Sequence, residues 1–236
     1  MAIRGLLFDK DGTLFDFAAT WGGVTEMVLD RLADDPAHKA AMATAIGYDT
    51  DAGHFQAGSA VVAGTGADIA ELLAQMAPKH NLYDIEMLLN ESSATVISGG
   101  LMVPAVPDMA GFLDGLRADG HRLGIATHDA QDAAHAHMDA LGVVDRFDFI
   151  AGYDSGHGHK PGPGMLLAFA KSTGLHPSEI AMIGDSIHDL GVAPAAGAAL
   201  AIGVLTGPAT REDLAPHADH VLDSIADLPA LLAARL

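Results

Sequence analysis

Two carboxylates, Asp9 and Asp11, close the apolar run at the start of LLFDKDGTLFDF (residues 6–17). Two more, Asp185 and Asp189, follow the apolar run 180–183 in GDSIHD (184–189). Thr127 ends HRLGIAT (121–127), and Lys160 sits in GHGHKPGPG (156–164). Four acids side by side cannot all ionise without compensation. Oxygen donors without His or Cys suit Mg²⁺, which keeps several waters and bridges to phosphate oxygens. Lys160 offers a point charge to a phosphate or carboxylate. Thr127 can donate to a phosphate oxygen, and Gly12 lets backbone amides approach an anion closely. Phosphoryl transfer asks mainly for this positioning and charge neutralisation.

These residues can converge only if the elements that carry them end together. Residues 3–8 are apolar but for Arg4 and halt at Asp9, the pattern of a buried strand in a parallel sheet. Helical spacing dominates residues 17–98, with no convincing strand, and predicts an inserted helical bundle. Strand and helix then alternate. Helices are expected over 108–118, stopped by Asp119-Gly120, then over 131–141, 163–173 and 190–196. Strands are expected over 121–127, 147–151, 180–183, 200–204 and 220–222, and Ser224–Asp227 has the spacing of a capping box. The alternation predicts an α/β fold with a doubly wound, mostly parallel sheet. The core would span 1–16 and 99–236, and the helical domain 17–98. Ligands in such folds sit beyond the carboxyl ends of the strands, where the acids, the threonine and the lysine lie.

The 236 residues are enough to bury a sizeable core. Their 12 Lys+Arg against 31 Asp+Glu, a formal net charge of -19, argue against nucleic acid or an anionic membrane as partner. A small anionic substrate would need a local cation. With no cysteine, disulfides, thiol nucleophiles and thiolate metal sites are ruled out. The N-terminal stretch reaches charged residues too early for a signal peptide. Residues 190–210 lack charge but are broken by glycine and proline, so they read as a buried helix and strand rather than a membrane span. A cytoplasmic setting is expected; nothing in the sequence sets an oligomeric state.

DKDGT at 9–13, Thr127, Lys160 and GDSIHD at 184–189 resemble, in order, the four motifs of the haloacid dehalogenase superfamily. The resemblance spans nearly the whole chain, and PAVPDMAGFLDGLRADGHRLGIAT (104–127) is similar to phosphoglycolate phosphatase-like members. It implies a Rossmann-like core with a helical cap that closes over the site, hinged near 15–23 and 98–104. It implies Asp9 as nucleophile through an aspartyl-phosphate, and Asp11 as general acid and then base. Mg²⁺ would bind Asp9, the Asp11 backbone carbonyl and Asp185, with Asp189 as a ligand directly or through water. Thr127, Lys160 and Gly12 would hold the phosphoryl group. The implied activity is a Mg²⁺-dependent phosphatase acting on a small phosphorylated metabolite, with phosphoglycolate favoured. A sugar phosphomutase uses the same core residues and stays open, as does a noncatalytic binding module. A dehalogenase has no use for Asp11 and a metal, and a phosphonate hydrolase would need a Schiff-base lysine, for which the cap offers only Lys39 and Lys79.

Other features have simpler readings. Lys10 stands where an apolar residue is commoner and would be solvated or touch substrate, the solvated reading being preferred. His128 follows Thr127 where asparagine or aspartate is frequent. A calcium loop is rejected, because Gly12 is at loop position four and Thr20 occupies the place of the bidentate acid. Gly184-Asp-Ser186 lacks the glycine at 188 that a nucleophile elbow needs. His135 and His137 read as solvated helix residues, and His157 and His159 as a polar loop. The glycine-rich stretch 62–68 matches no nucleotide-binding spacing. Trp21, the only tryptophan, reads as core packing with lining of the closed site as its rival.

Overall fold

The computed structural model describes residues 2–63, 66–98 and 101–234. The chain divides into two compact units, residues 1–16 with 104–236, and residues 17–103. The expected boundary at 98/99 adjoins residues 99 and 100, which lie outside the described residues, as do residues 64 and 65 of the glycine-rich stretch.

In chain order, β1 (Gly5–Phe8) leads into the helices α1 (Phe17–Leu32), α2 (Pro36–Ile46), α3 (Ala60–Ala63), α4 (Gly66–Met76) and α5 (Leu82–Ser98), with β2 (Tyr48–Asp49) and β3 (His54–Phe55) between α2 and α3. Then follow α6 (Met109–Ala118), β4 (Arg122–Ala126), α7 (Gln131–Ala140), β5 (Phe149–Ala151), α8 (Gly164–Thr173), β6 (Ile180–Gly184), α9 (Ile187–Ala196), β7 (Leu200–Val204), α10 (Arg211–Leu214), β8 (His220–Leu222) and α11 (Leu228–Ala233).

The first unit is built on a six-stranded parallel sheet of order β5-β4-β1-β6-β7-β8. β1 lies inside it, with Phe8 opposite Ile125 on one side and Ile183 on the other. Helices cover both faces of such a sheet, so its central strands β1 and β6 are apolar and buried along their length. Leu6, Leu7 and Phe8 are fully buried, as are Ile180, Ala181, Met182 and Ile183. Leu7 joins Leu166, Phe169, Met182 and Leu190 in a core where each large side chain contributes about 1.5–3 kcal/mol on burial. The chain winds from β1 outward to β4 and β5, then crosses to β6, β7 and β8. The order reverses between β1 and β6, the switch point where such sheets open a crevice.

In the second unit Leu29, Met42, Leu73 and Ile85 are buried. Asp35 caps α2 by accepting the N–H of His38 at 2.8 Å, and Gly47 ends it in the left-handed region. The expectation of no strand here is corrected: β2 and β3 pair antiparallel through Tyr48–Phe55 and Asp49–His54. Strands of two residues are too short to show a period. The ladder is held by the Phe55 ring, packed 4.7 Å from Tyr48 and 5.1 Å, edge-on, from Phe17.

Most core elements fall within two or three residues of expectation. Pro163 precedes α8 rather than opening it, and Asp108 is the N-cap of α6, accepting from Gly111 N at 2.9 Å. The expected capping box at 224–227 does not form. Ser224 accepts instead from Ala226 N at 3.0 Å and opens a single 3₁₀ turn, Ile225–Asp227. Residues 190–210 form the body of α9, β7 and a loop, and among the described residues no helix is long and apolar enough to cross a membrane.

Candidate active site

The sheet delivers three strand ends to one place. Asp9 follows β1, and its N–H donates to Ile183 O at 2.8 Å. Thr127 follows β4, with its N–H on Ala151 O at 3.0 Å. Asp185 follows β6, and Asp189 lies in the first turn of α9. Ser186 caps that helix, and its hydroxyl donates to Asp189 Oδ2 at 2.5 Å. That bond turns Asp189 Oδ1 toward Lys160, whose Nζ stands 2.5 Å away. The same Nζ is 2.5 Å from Asp9 Oδ1. Oxygens of Asp9, Asp185 and Asp189 lie within 4.8 Å of one another, and all three residues are buried.

One ammonium does not compensate three buried carboxylates. Burial pushes the Asp9 carboxyl up to about 7; Lys160 pulls it down, and Asp189 and Asp11 push it further up. Asp185 is raised well above the usual carboxylate range, by burial first and then by Asp9 and Asp189. Lys160 is held above its ordinary value: burial alone would lower it, but Asp189 and Asp9 outweigh burial. A buried, all-oxygen group with excess negative charge fits a hard divalent cation.

Backbone closes around these acids. Gly12 has φ +83°, open to glycine at little cost, and a Cβ there would stand 2.3 Å from Asp185 Oδ2. The carbonyl of Gly12 accepts from Thr206 Oγ1 at 2.7 Å, so the loop after β7 braces the loop after β1. Thr127 Oγ1 accepts the N–H of Asp129 at 3.1 Å, which leaves its own proton uncommitted to that bond.

Residues 3–197 match the family described as haloacid dehalogenase-like hydrolase. The chain belongs to that family. Its curated relatives include the phosphoglycolate phosphatase of Yersinia pseudotuberculosis, 33% identical over 98% of this chain and 94% of that one. Among solved structures, a haloacid dehalogenase family hydrolase from Deinococcus radiodurans with bound phosphate and sodium superposes with TM-score 0.72 at 23% identity, over 98% of this chain and 96% of the other. A β-phosphoglucomutase from Clostridium difficile does so with TM-score 0.61 at 16% identity, over 99% and 98%. Likenesses at such identities concern the fold.

In this haloacid dehalogenase-like hydrolase, Asp9, Lys160, Asp185 and Asp189 meet in one buried cluster with Gly12 against Asp185, and Thr127 is buried at the end of β4, the strand beside β1. The Asp11 carboxylate is not among the three grouped oxygens. It pairs instead with Lys10 Nζ, which corrects the solvated reading of Lys10: that residue is 0% exposed. An ammonium at the sheet's end can be buried because carboxylates surround it, a fact its own position in the sequence does not disclose. His137 is likewise buried rather than solvated, packed edge-on against Phe15, while His135 is exposed. Asp189 both caps α9 and faces Lys160. His157 and His159 are exposed, and Trp21 is half-buried. His128 is half-buried with its ring near His159 and His188; burial and the Lys160 charge push it down to about 4.

Four contributors escaped the sequence reading. Asp129 stands two residues beyond Thr127, and that nearness is the signal the sequence holds for it. Ser186 sits inside the motif that was noticed, at N-cap spacing from Asp189. Thr206 and Gly207 follow an apolar strand as the other site residues do, and strand-end position was their only signal.

Proposed function

We propose that this hydrolase is a Mg²⁺-dependent phosphatase that cleaves a small phosphorylated metabolite through an aspartyl-phosphate on Asp9, with phosphoglycolate as the favoured substrate. The observation that carries the proposal is the placement of Lys160 Nζ 2.5 Å from both Asp9 and Asp189, beside the three grouped carboxylates. The relationship to phosphoglycolate phosphatases supports the choice of substrate.

Asp9, Asp185 and Asp189, with the backbone carbonyl of Asp11, would hold the cation. When bound it neutralises the excess charge and polarises phosphoryl oxygens. Lys160 favours the ionised form of Asp9 that a nucleophile requires and offers its charge to the phosphoryl group. Thr127 donates its hydroxyl proton to a phosphoryl oxygen. An Asp9 oxygen attacks phosphorus, and the bond from phosphorus to the ester oxygen breaks. The Asp11 carboxyl gives its proton to that departing oxygen. In the second half, water attacks phosphorus while the Asp11 carboxylate takes a water proton. The phosphorus–Asp9 bond breaks, phosphate leaves and both carboxyl groups return to their starting states.

Phosphate release from a panel of small esters, with Mg²⁺ and with chelator, tests the reading. Metal-dependent turnover, strongest for phosphoglycolate, is expected. No release from any ester by folded, metal-loaded protein overturns it. Isomerisation of a sugar phosphate that requires a bisphosphate primer would make the enzyme a phosphomutase.

A further inference from the structure

We propose that Lys10 and Asp129 form a strap that positions the Asp11 carboxylate relative to Thr127, making both positioning residues for proton transfer. The inference rests on the phosphatase reading, since that reading gives Asp11 its proton-carrying task.

Lys10 is 0% exposed, so its ammonium reaches no ligand directly. Its Nζ pairs with Asp11 Oδ2, stands 3.0 Å from Asp129 Oδ2 and lies 5.6 Å above the centre of the Phe15 ring. The loop carrying Lys10 is closed on itself, because its carbonyl accepts the N–H groups of Leu14 at 2.9 Å and Phe15 at 3.2 Å. The Asp129 end is equally fixed. Its N–H bonds Thr127 Oγ1, its carbonyl accepts Tyr153 N at 2.9 Å, and His137 Nδ1 stands 4.0 Å from its carboxylate. One residue thus orients the phosphate-binding hydroxyl through its main chain and the proton carrier through its side chain. The two loops follow β1 and β4, adjacent strands in the sheet.

Stability alone does not account for the strap. Burying an ammonium is expensive, and an apolar side chain of similar volume is usually as good or better for the fold. What the ammonium adds is direction. Nζ lies against Oδ2 of Asp11, an ion pair that orients that carboxylate. The Asp11 side chain remains 19% exposed, open enough to meet an ester oxygen and a water.

The test compares wild type with K10M, D129N and the double variant on two esters in Mg²⁺. Phosphoglycolate releases its alcohol part as an alkoxide that must be protonated; 2,4-dinitrophenyl phosphate releases a stable phenolate that need not be. K10M is expected to lower kcat/KM for phosphoglycolate by about 10- to 100-fold. For the dinitrophenyl ester the loss should stay within about threefold, because no proton has to be delivered. D129N should show the same selectivity, and the double variant no more than the K10M loss, since both act through one strap. Equal losses on the two esters, or no loss, overturn the proposal, as a structural role would lower both alike. If K10M does not fold, D129N carries the comparison, because that side chain is 38% exposed and its amide can be hydrated. A wild type inert on both esters would sink the phosphatase reading instead. The crystal structure of K10M, or of D129N, then decides about the strap: a rotated Asp11 carboxylate supports it and an unmoved one overturns it.

Discussion

A β-carbon on Gly207 would lie 1.8 Å from Oδ2 of Asp185. The carboxylate therefore occupies space that only glycine leaves, and the loop after β7 is part of the site through its backbone at Gly207 as well as through the Thr206 hydroxyl. Gly207→Ala is expected to destabilise the protein by about 2–4 kcal/mol, as overpacking against a fixed group does. It should also weaken Mg²⁺ binding by about 10- to 100-fold, the usual cost of disturbing a ligand's surroundings. Gly115 provides the contrast. It is exposed in α6 with nothing within 4 Å of a Cβ, so Gly115→Ala should stabilise by about 0.5–1 kcal/mol with turnover unchanged. Chemical denaturation and calorimetric Mg²⁺ titration of both variants check this pair.

Asp185→Asn should separate stability from function. Asp185 is buried beside Asp9 and Asp189, and that crowding holds its carboxyl well above the usual range. Without metal, an amide removes a carboxylate that burial and two neighbours disfavour, so the chelated variant should melt above chelated wild type. Saturating Mg²⁺ should raise the wild-type stability by about 3 kcal/mol at a hundred times Kd and leave the variant nearly unchanged. A Tm gain of equal size in both proteins would remove Asp185 from the cation site.

Asp9→Asn should reduce turnover at least about 10³-fold, because no carboxylate nucleophile remains. The same variant exposes a pH effect in chelator. Asp9 titrates near 7 in the folded protein against an ordinary value of 3.8, so between those limits the folded state holds more protons than the unfolded one. Wild-type stability from this group is complete below pH 3.8 and is lost as pH rises toward 7. The stability difference, variant minus wild type, should therefore grow over that interval, by no more than about 4 kcal/mol. A difference that is flat with pH contradicts the buried-carboxylate account.

Ser186→Ala tests whether a helix cap also aims a site acid. Ser186 Oγ donates to Asp189 Oδ2 at 2.5 Å and accepts from Asp189 N at 3.3 Å. Loss of the cap should cost about 1 kcal/mol. Loss of the bond that turns Asp189 toward Lys160 should lower Mg²⁺ affinity about tenfold or more. Threonine at 186 keeps the hydroxyl and should recover most of both.

The amino-acid sequence by itself determined where the chemistry-bearing residues stand along the chain. Continuous apolar runs of four or five residues read as buried strands because both faces of a parallel sheet are covered, and their last positions marked Asp9, Thr127 and Asp185. Residue type supplied the rest of that reading: oxygen donors without His or Cys, one nearby lysine and a glycine in the turn. These are local signals, carried by a few neighbouring positions. What touches what was decided only by the tertiary structure. Lys10 read as solvated because a lysine's direction depends on the partners the sheet order brings beside it, here Asp129 at the end of adjacent β4. His137 is buried because the Phe15 ring packs against it, from a loop 122 residues earlier in the chain. Thr206 and Gly207 count because β7 lies beside β6, and β2 with β3 because Phe55 needed cover. A sequence records each residue's chemistry. The excess charge that Asp9, Asp185 and Asp189 share with a single Lys160 exists only once the strands are laid side by side.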